Sequence, residues 1–126
     1  MTTTLAKVVT GYSLLLEKGD NVSVIDLYYA DDMQQVENNE APVIGKTALL
    51  EIEKKKLAGV NSFEQKIISL VIDEEKGIVM GEMQVVFDSK KSGQKKLQEA
   101  FIQHWKDEKI VYQKFYYKPF ISNNGQ

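Results

Sequence analysis

The chain has no cysteine and no arginine, one histidine, one tryptophan and two prolines. Each scarcity removes a class of function. Without Cys there is no thiol nucleophile, no Cys-ligated zinc and no iron–sulfur centre. A single His cannot build a multi-histidine metal site, and Asp and Glu are not clustered as a carboxylate-only site requires. No metal and no cofactor is therefore expected. Arg is the residue that grips phosphates and guanine edges in bidentate fashion. Its absence, with a formal charge of −2 from 16 Lys against 18 Asp and Glu, argues against a nucleic-acid partner. The dense basic run Lys54-Lys55-Lys56 reads as the solvated face of a helix. No stretch approaches the ~20 apolar residues of a membrane span, so no membrane partner is expected. The opening "MTTTLAKVVTGYSLLLEKGD" lacks the basic start and continuous apolar run of a signal peptide, and the expected location is cytoplasmic.

What is present suits one domain. A chain of 126 residues can bury roughly 65–70% of its unfolded surface without a disulfide or metal staple. There is no repeat, low-complexity tract or Pro-rich linker, so a single domain is expected over 1–121. The final "SNNGQ", 122–126, reads as a loose tail.

The first third carries helical periodicity. Leu5, Val8, Val9, Tyr12, Leu15 and Leu16 recur at three- and four-residue steps and end at Gly19-Asp20. A second helix is predicted from about Val22 to Ala30, with Val24, Leu27 and Tyr28 inward. Asp31 and Asp32 would stop it as turn and capping groups. "MQQVE" has the length of a short strand, "NNEAPVIG" reads as a turn and return, and a third helix spans about Lys46 to Ala58 with Leu49, Ile52 and Leu57 on its apolar side.

The second half alternates instead. Strands are predicted at about Ser62–Asp73, Ile78–Asp88, Lys95–Lys106 and Lys109–Phe120, joined by "DEEKG", "SKKSGQ" and "DEK". Links this short force antiparallel neighbours. Helices followed by a meander make an α+β layout: a cone-shaped, curved antiparallel sheet of four strands plus a short N-terminal hairpin, covered by three helices. Alternation divides the last two strands into faces. Glu99, Phe101, Gln103 and Trp105 share a face with Val111, Gln113, Phe115 and Tyr117. Ile102, His104, Tyr112 and Tyr116 point the other way. Residues 99–120 hold seven of the twelve aromatic residues, with polar groups threaded between them.

Three segments carry a resemblance: "GYSLLLEKGD", "IDLYYADDMQQVE…VIGKTALLE" and "HWKDEKIVYQKFYY". Together with the element order they resemble the nuclear transport factor 2-like, or SnoaL-like, superfamily. The resemblance spans nearly the whole chain. It speaks to fold more than activity, since this fold hosts isomerases, cyclases, dehydratases and plain binding modules. The ketosteroid isomerase branch uses a Tyr and a protonated Asp as oxyanion donors and a second Asp as base. By that resemblance the Tyr falls on Tyr12, eight residues before Asp20. The base falls on Glu37, seven after Ala30, or on Asn38 with a one-residue gap. The donor acid is replaced by Gln103, which precedes His104-Trp105. The Gly of the usual closing turn is Glu108.

These expectations stay paired with plainer ones. Tyr12 is either a pocket hydroxyl or a core Tyr. Glu99 either has its pKa raised by burial or reaches solvent. Trp105 and Tyr117 either wall a cavity or fill it. His104 is expected on an outer, dimer-forming face rather than as a base. The function expected is binding of a small apolar ligand in the cone by Tyr12, Glu99, Phe101, Gln103, Trp105, Gln113, Phe115 and Tyr117. A homodimer would pack through Ile102, His104, Tyr112 and Tyr116. One alternative is a cofactor-free isomerase, cyclase or dehydratase, with Glu37 or Glu99 moving a proton and Tyr12 and Gln103 as oxyanion donors. A second is a protein-interaction adaptor.

Overall fold

A computed structural model describes residues 4–118. The predicted strand end at Phe120, the domain limit at 121 and the tail at 122–126 lie outside the described residues. The elements are α1 (Leu5–Glu17), α2 (Asn21–Tyr28), β1 (Tyr29–Glu37), β2 (Val43–Ile44), α3 (Lys46–Ala58), β3 (Val60–Asp73), β4 (Ile78–Ser89), β5 (Gly93–Lys106) and β6 (Lys109–Tyr117). They form a six-stranded sheet in the order β2-β1-β6-β5-β4-β3, antiparallel except where β1 runs parallel to β6. This is the expected α+β architecture of a curved sheet covered by three helices. No helix among the described residues is long and apolar enough to cross a membrane.

Helix starts follow the local chemistry. Thr4 caps α1, and the Glu74 carboxylate on the β3–β4 turn accepts from the Leu5 and Ala6 N–H groups at 2.9 and 2.8 Å. That bond set ties the start of the chain to the sheet and matches negative charge to the helix N-terminus. Asp20 caps α2 through the Ser23 N–H at 3.1 Å.

Two expectations need correction here. α2 ends at Tyr28, and Ala30-Asp31-Asp32 lie inside β1. Asp31 and Asp32 are exposed in an irregular stretch between the Tyr29 and Gln34 pairings, so they terminate no helix. Burial of Tyr29 and Met33 holds this segment extended against the core. Within α2, Ile25 rather than Leu27 packs inward; Leu27 is 53% exposed.

Besides a register shift between Val60 and Ser62 at the start of β3, the meander is bent at two irregularities. One lies between Ile67 and Ser69 on β3, beside Gly81, where a Cβ would strike the Ser69 carbonyl and the Phe101 ring. Such bulges curl a sheet. The other lies where β5 turns into β6: Trp105 pairs with Ile110, but His104 pairs with Tyr112. Val111 is the extra residue, and Ile110, fully buried, takes the inward position that strict alternation assigns to Val111. The link itself is a two-residue turn, Asp107 and Glu108, at φ 52° and 64°. That geometry favours Gly at the second position; Glu108 occupies it with the pairing intact.

Helices cover the concave face. Val8, Val9, Tyr12 and Leu16 of α1 and Val24 and Ile25 of α2 meet Val79, Met83, Val85, Phe101 and Trp105 of the sheet. Burial is deepest at Trp105 and Ile110, beside the β5–β6 turn, and falls off toward the β4–β5 turn.

Candidate functional site

Between the helices and the sheet lies a cavity of about 780 Å³. Its walls are largely apolar, from Leu16, Ile25, Phe63, Val85, Leu97 and Phe115 among others. Its size and lining fall in the range of small-molecule sites.

The floor is a chain of amides and phenols whose orientation has one starting point. The Trp105 indole N–H is donor only, so the Gln103 oxygen must face it, at 3.0 Å. The Gln103 amide NH₂ then points to the Tyr12 hydroxyl oxygen at 2.9 Å and to the Gln113 oxygen at 2.6 Å. Gln113 in turn donates to the Tyr29 hydroxyl at 2.9 Å and to Gln35 at 3.0 Å, and Tyr29 donates to Gln35 at 3.0 Å. Gln103 and Gln113 are buried, yet every polar atom of both has a partner. Tyr12 accepts from Gln103, and its own proton has no acceptor among the described residues. Tyr12 is one of the residues that line the cavity. Burial above all keeps Tyr12 protonated, pushing its pKa up to about 12, and pushes Tyr29 up as well. Tyr12 also meets Tyr28 and Trp105 edge-on, with ring centroids 5.7 and 5.5 Å away.

A second polar group lies on the wall. Gln65 donates to the Leu16 carbonyl at 2.8 Å and to Asn21 at 2.6 Å, and Asn21 donates to Glu53 at 3.0 Å.

The mouth is different in kind. Glu37 at the end of β1 accepts from the Tyr117 hydroxyl at 2.6 Å and lies 3.8 Å from the Lys56 ammonium on α3. Burial first, then the Glu37 carboxylate, hold the Tyr117 phenol proton. Glu99 is paired with Tyr117 across the strands, and its carboxylate makes no hydrogen bond among the described residues. Burial pushes it up to about 7, with the Glu37 charge adding and Lys56 opposing. The choice between residues 37 and 38 falls to Glu37. Asn38 instead turns out of the strand at φ 52°, and its side-chain oxygen accepts from the Tyr117 N–H at 2.9 Å.

Of the residues expected to line a ligand site, Tyr12, Glu99, Gln113, Phe115 and Tyr117 border the cavity together with Glu37. Phe101, Gln103 and Trp105 do not. They pack beneath the floor at 3%, 0% and 7% exposure, because α1 and the Tyr12 and Tyr28 rings close over that end. This also corrects the expectation that Gln103 is an oxyanion donor: both of its N–H bonds are committed to Tyr12 and Gln113. Ile102, His104, Tyr112 and Tyr116 alternate with these inward residues and lie on the outer sheet face, where His104 and Tyr112 contact edge-on at 5.1 Å.

Several cavity residues escaped the sequence reading. Phe63, Gln65, Met83, Val85 and Leu97 follow from alternation carried along β3, β4 and the start of β5. Lys56 does not; a lysine in a basic run has no pattern that distinguishes a cavity rim from a solvated face. No group of residues suited to hold a metal ion occurs among the described residues.

No protein-family model and no curated protein sequence matches the chain. Solved structures do. A protein described as a SnoaL-like polyketide cyclase from Mesorhizobium loti superposes with TM-score 0.78 at 22% identity, covering 91% of this chain and all (100%) of that one. An LEH-like epoxide hydrolase from M. tuberculosis matches with TM-score 0.73 at 15% identity, over 90% of this chain and 82% of that one. An NTF2-like protein of unknown function from Exiguobacterium sp. matches with TM-score 0.72 at 16% identity, over 90% and 99%. The fold is the NTF2-like, SnoaL-like cone, and likeness at this identity carries the fold alone.

Proposed function

We propose that this SnoaL-like cone binds a small, largely apolar molecule that carries one hydrogen-bond acceptor. The observation that carries this reading is the Tyr12 hydroxyl. It is buried, kept protonated, turned by Gln103 so that its proton has no acceptor among the described residues, and carried by a residue that lines an apolar-walled cavity of about 780 Å³. A buried donor left unmatched costs about 1–3 kcal/mol, and a ligand carbonyl or hydroxyl oxygen at the floor would recover it. Apolar walls supply the remaining affinity at roughly 25 cal/mol per Å² removed from water. The test is fluorescence titration with the neutral apolar dye N-phenyl-1-naphthylamine. Saturable binding that is lost on filling the cavity with Leu97→Trp supports the reading. No binding to the unaltered chain overturns it.

A second reading, proton-transfer catalysis, is favoured by one observation: Glu99 and Glu37 border the same cavity in unlike environments. Glu99 is pushed up to about 7, while Glu37 is held by Tyr117 and Lys56. Groups poised near neutrality suit general acid–base work. The donor in this version is Tyr12 without Gln103. The Glu99 carboxylate would take an α-proton from a bound ketone and return it to the same carbon, while Tyr12 donates to the enolate oxygen in between. Protein-catalysed α-deuteration of 2-tetralone in D₂O, lost in Glu99→Gln, is the expected result. A bound ketone that exchanges only at the background rate sinks it.

The outer sheet face is proposed as a homodimer surface. Val71 and Met80, 69% and 51% exposed, lie in register with Ile102, and Tyr116 is 50% exposed nearby. Ile102→Asp should yield monomers in sedimentation; a dimer that survives it points to another surface.

A further inference from the structure

The cavity mouth holds more positive charge than the binding reading uses. Lys55 and Lys56 lie in the last turn of α3, and Lys90 and Lys91 lie at the tip of the β4–β5 hairpin; all four border the opening. The two segments are joined, since the Lys90 N–H donates to the Gly59 carbonyl at 3.0 Å. The tip itself is a folded turn, in which the Ser89 hydroxyl accepts from the Lys91 and Ser92 N–H groups at 3.2 and 3.3 Å. Four ammonium groups are therefore carried on one continuous lip.

Part of this charge has an ordinary explanation. Lys55 and Lys56 offset the negative end of the α3 dipole, and Lys56 also faces Glu37. Neither reason reaches Lys90 and Lys91, which sit on a strand hairpin. Among the described residues, Lys55, Lys90 and Lys91 have no carboxylate within ion-pair distance. Two of the four acids that share the cavity are committed elsewhere. Glu37 is held by Tyr117 and Lys56, and Glu53 accepts from Asn21. Glu99 also stands at the mouth, but Leu97 separates it from the hairpin tip on the same strand face. Glu40 adds an unpaired negative charge at the rim, and Glu99 a partial one.

We propose that this lysine lip is an anion subsite that holds the acidic headgroup of the ligand whose apolar body occupies the cavity. The ligand class is a monoanionic amphiphile, with an acceptor oxygen at the Tyr12 end and a carboxylate or sulfonate at the mouth. The inference rests on the binding reading above and narrows it. Partial protonation of Glu99 near neutrality, driven by burial, reduces the repulsion such an anion meets. Because the lip is open to water, its attraction is modest per charge and screened by salt.

Two dyes that share one aromatic body test it. N-phenyl-1-naphthylamine is neutral; 1-anilinonaphthalene-8-sulfonate adds one anionic group. In the unaltered chain the sulfonate dye should bind more tightly, with an advantage that shrinks as salt rises. The double variant Lys90→Glu, Lys91→Glu should weaken the sulfonate dye by about tenfold. It should leave the neutral dye unchanged, which also reports an intact cavity. Lys55→Gln, on the other element of the lip, should act in the same direction by a smaller factor. Decanoate should displace the sulfonate dye, and inorganic phosphate at equal concentration should not. Equal affinities for the two dyes, unmoved by the lysine variants, would overturn the subsite and leave the binding reading standing. Displacement by phosphate as good as by decanoate would make the lip a bare-anion site and overturn the amphiphile. Failure of the neutral dye itself would remove the binding reading and this inference together.

Discussion

The two ends of one strand face obey the same alternation and end in opposite states. On β5, Glu99, Phe101, Gln103 and Trp105 follow at two-residue steps. At the narrow end, Gln103 and Trp105 are sealed, and each of their polar atoms has a partner. At the mouth, the Glu99 carboxylate has no hydrogen bond among the described residues and lines the same cavity as Glu37, Tyr117 and Lys56. The difference lies in cover rather than in strand chemistry. α1 lays Tyr12 over Gln103 and, with Tyr28, over Trp105; only the last turn of α3 reaches toward Glu99. A buried polar network with every group satisfied specifies a core. The same residue types where cover stops keep their titrating and ligand-binding capacity.

The sharpest way to break this contrast is Gln103→Leu. The side chain is of similar volume, so no large cavity forms, but three partners are stranded: the Trp105 N–H, the Gln113 oxygen and the Tyr12 oxygen. At about 1–3 kcal/mol per buried unsatisfied group, some of which re-pair, the expected loss is about 3–5 kcal/mol. That is a large share of a domain's usual ~5–15 kcal/mol. Urea unfolding should show a much lower midpoint with an unchanged slope. A loss below about 1 kcal/mol would mean that the narrow end admits water, and the two ends would not differ as described.

This contrast also marks what could be read before the structure. Element order, α3 from Lys46 to Ala58 and the four-strand meander were legible, because long periodic segments dominate those regions. The faces of β5 were legible too. Depth along a face was not: period two states which way Phe101 and Trp105 point, but not whether a helix sits on them. Val111 was misassigned because a bulge adds one residue and resets alternation. Asp31 and Asp32 were misread because tertiary burial of Tyr29 and Met33 overrides local turn chemistry. Tyr12 and Glu37 came from family spacing, and their surroundings, a committed Gln103 and a Lys56 from another element, had no local signature.

At the mouth, the largest effect expected is on Glu99, with opposite sign. Its folded pKa of about 7 stands above the ordinary 4.5. Between these values the native chain binds more protons than the unfolded chain, so stability falls as pH rises from about 4.5 to about 7 and stays lowered above that. Glu99→Gln removes the charged form. It should stabilise the protein at pH 8 by on the order of 2 kcal/mol and change little at pH 4. Thermal melts of both chains across this range measure it. A variant equally or less stable at pH 8 would show that Glu99 is well solvated, and the acid–base reading would lose its support.

The smallest effect is expected for Tyr117→Phe, and it tests the comparison most directly. The Tyr117–Glu37 bond and the Gln103–Gln113 bond have the same length, 2.6 Å. A carboxylate acceptor would make the first intrinsically stronger. Glu37 is nevertheless about one-third exposed, at 31%, and keeps Lys56 within 3.8 Å, so water and the ammonium replace the lost donor. The expected cost is below about 1 kcal/mol, against several for Gln103→Leu. The readout is the urea midpoint at pH 8, with and without salt. Added salt should enlarge the small loss by screening Lys56 from Glu37. A cost matching that of the buried amide would mean that bond length and charge, rather than access of water, set the energetics of this cone, and the mouth would be as rigid as the floor.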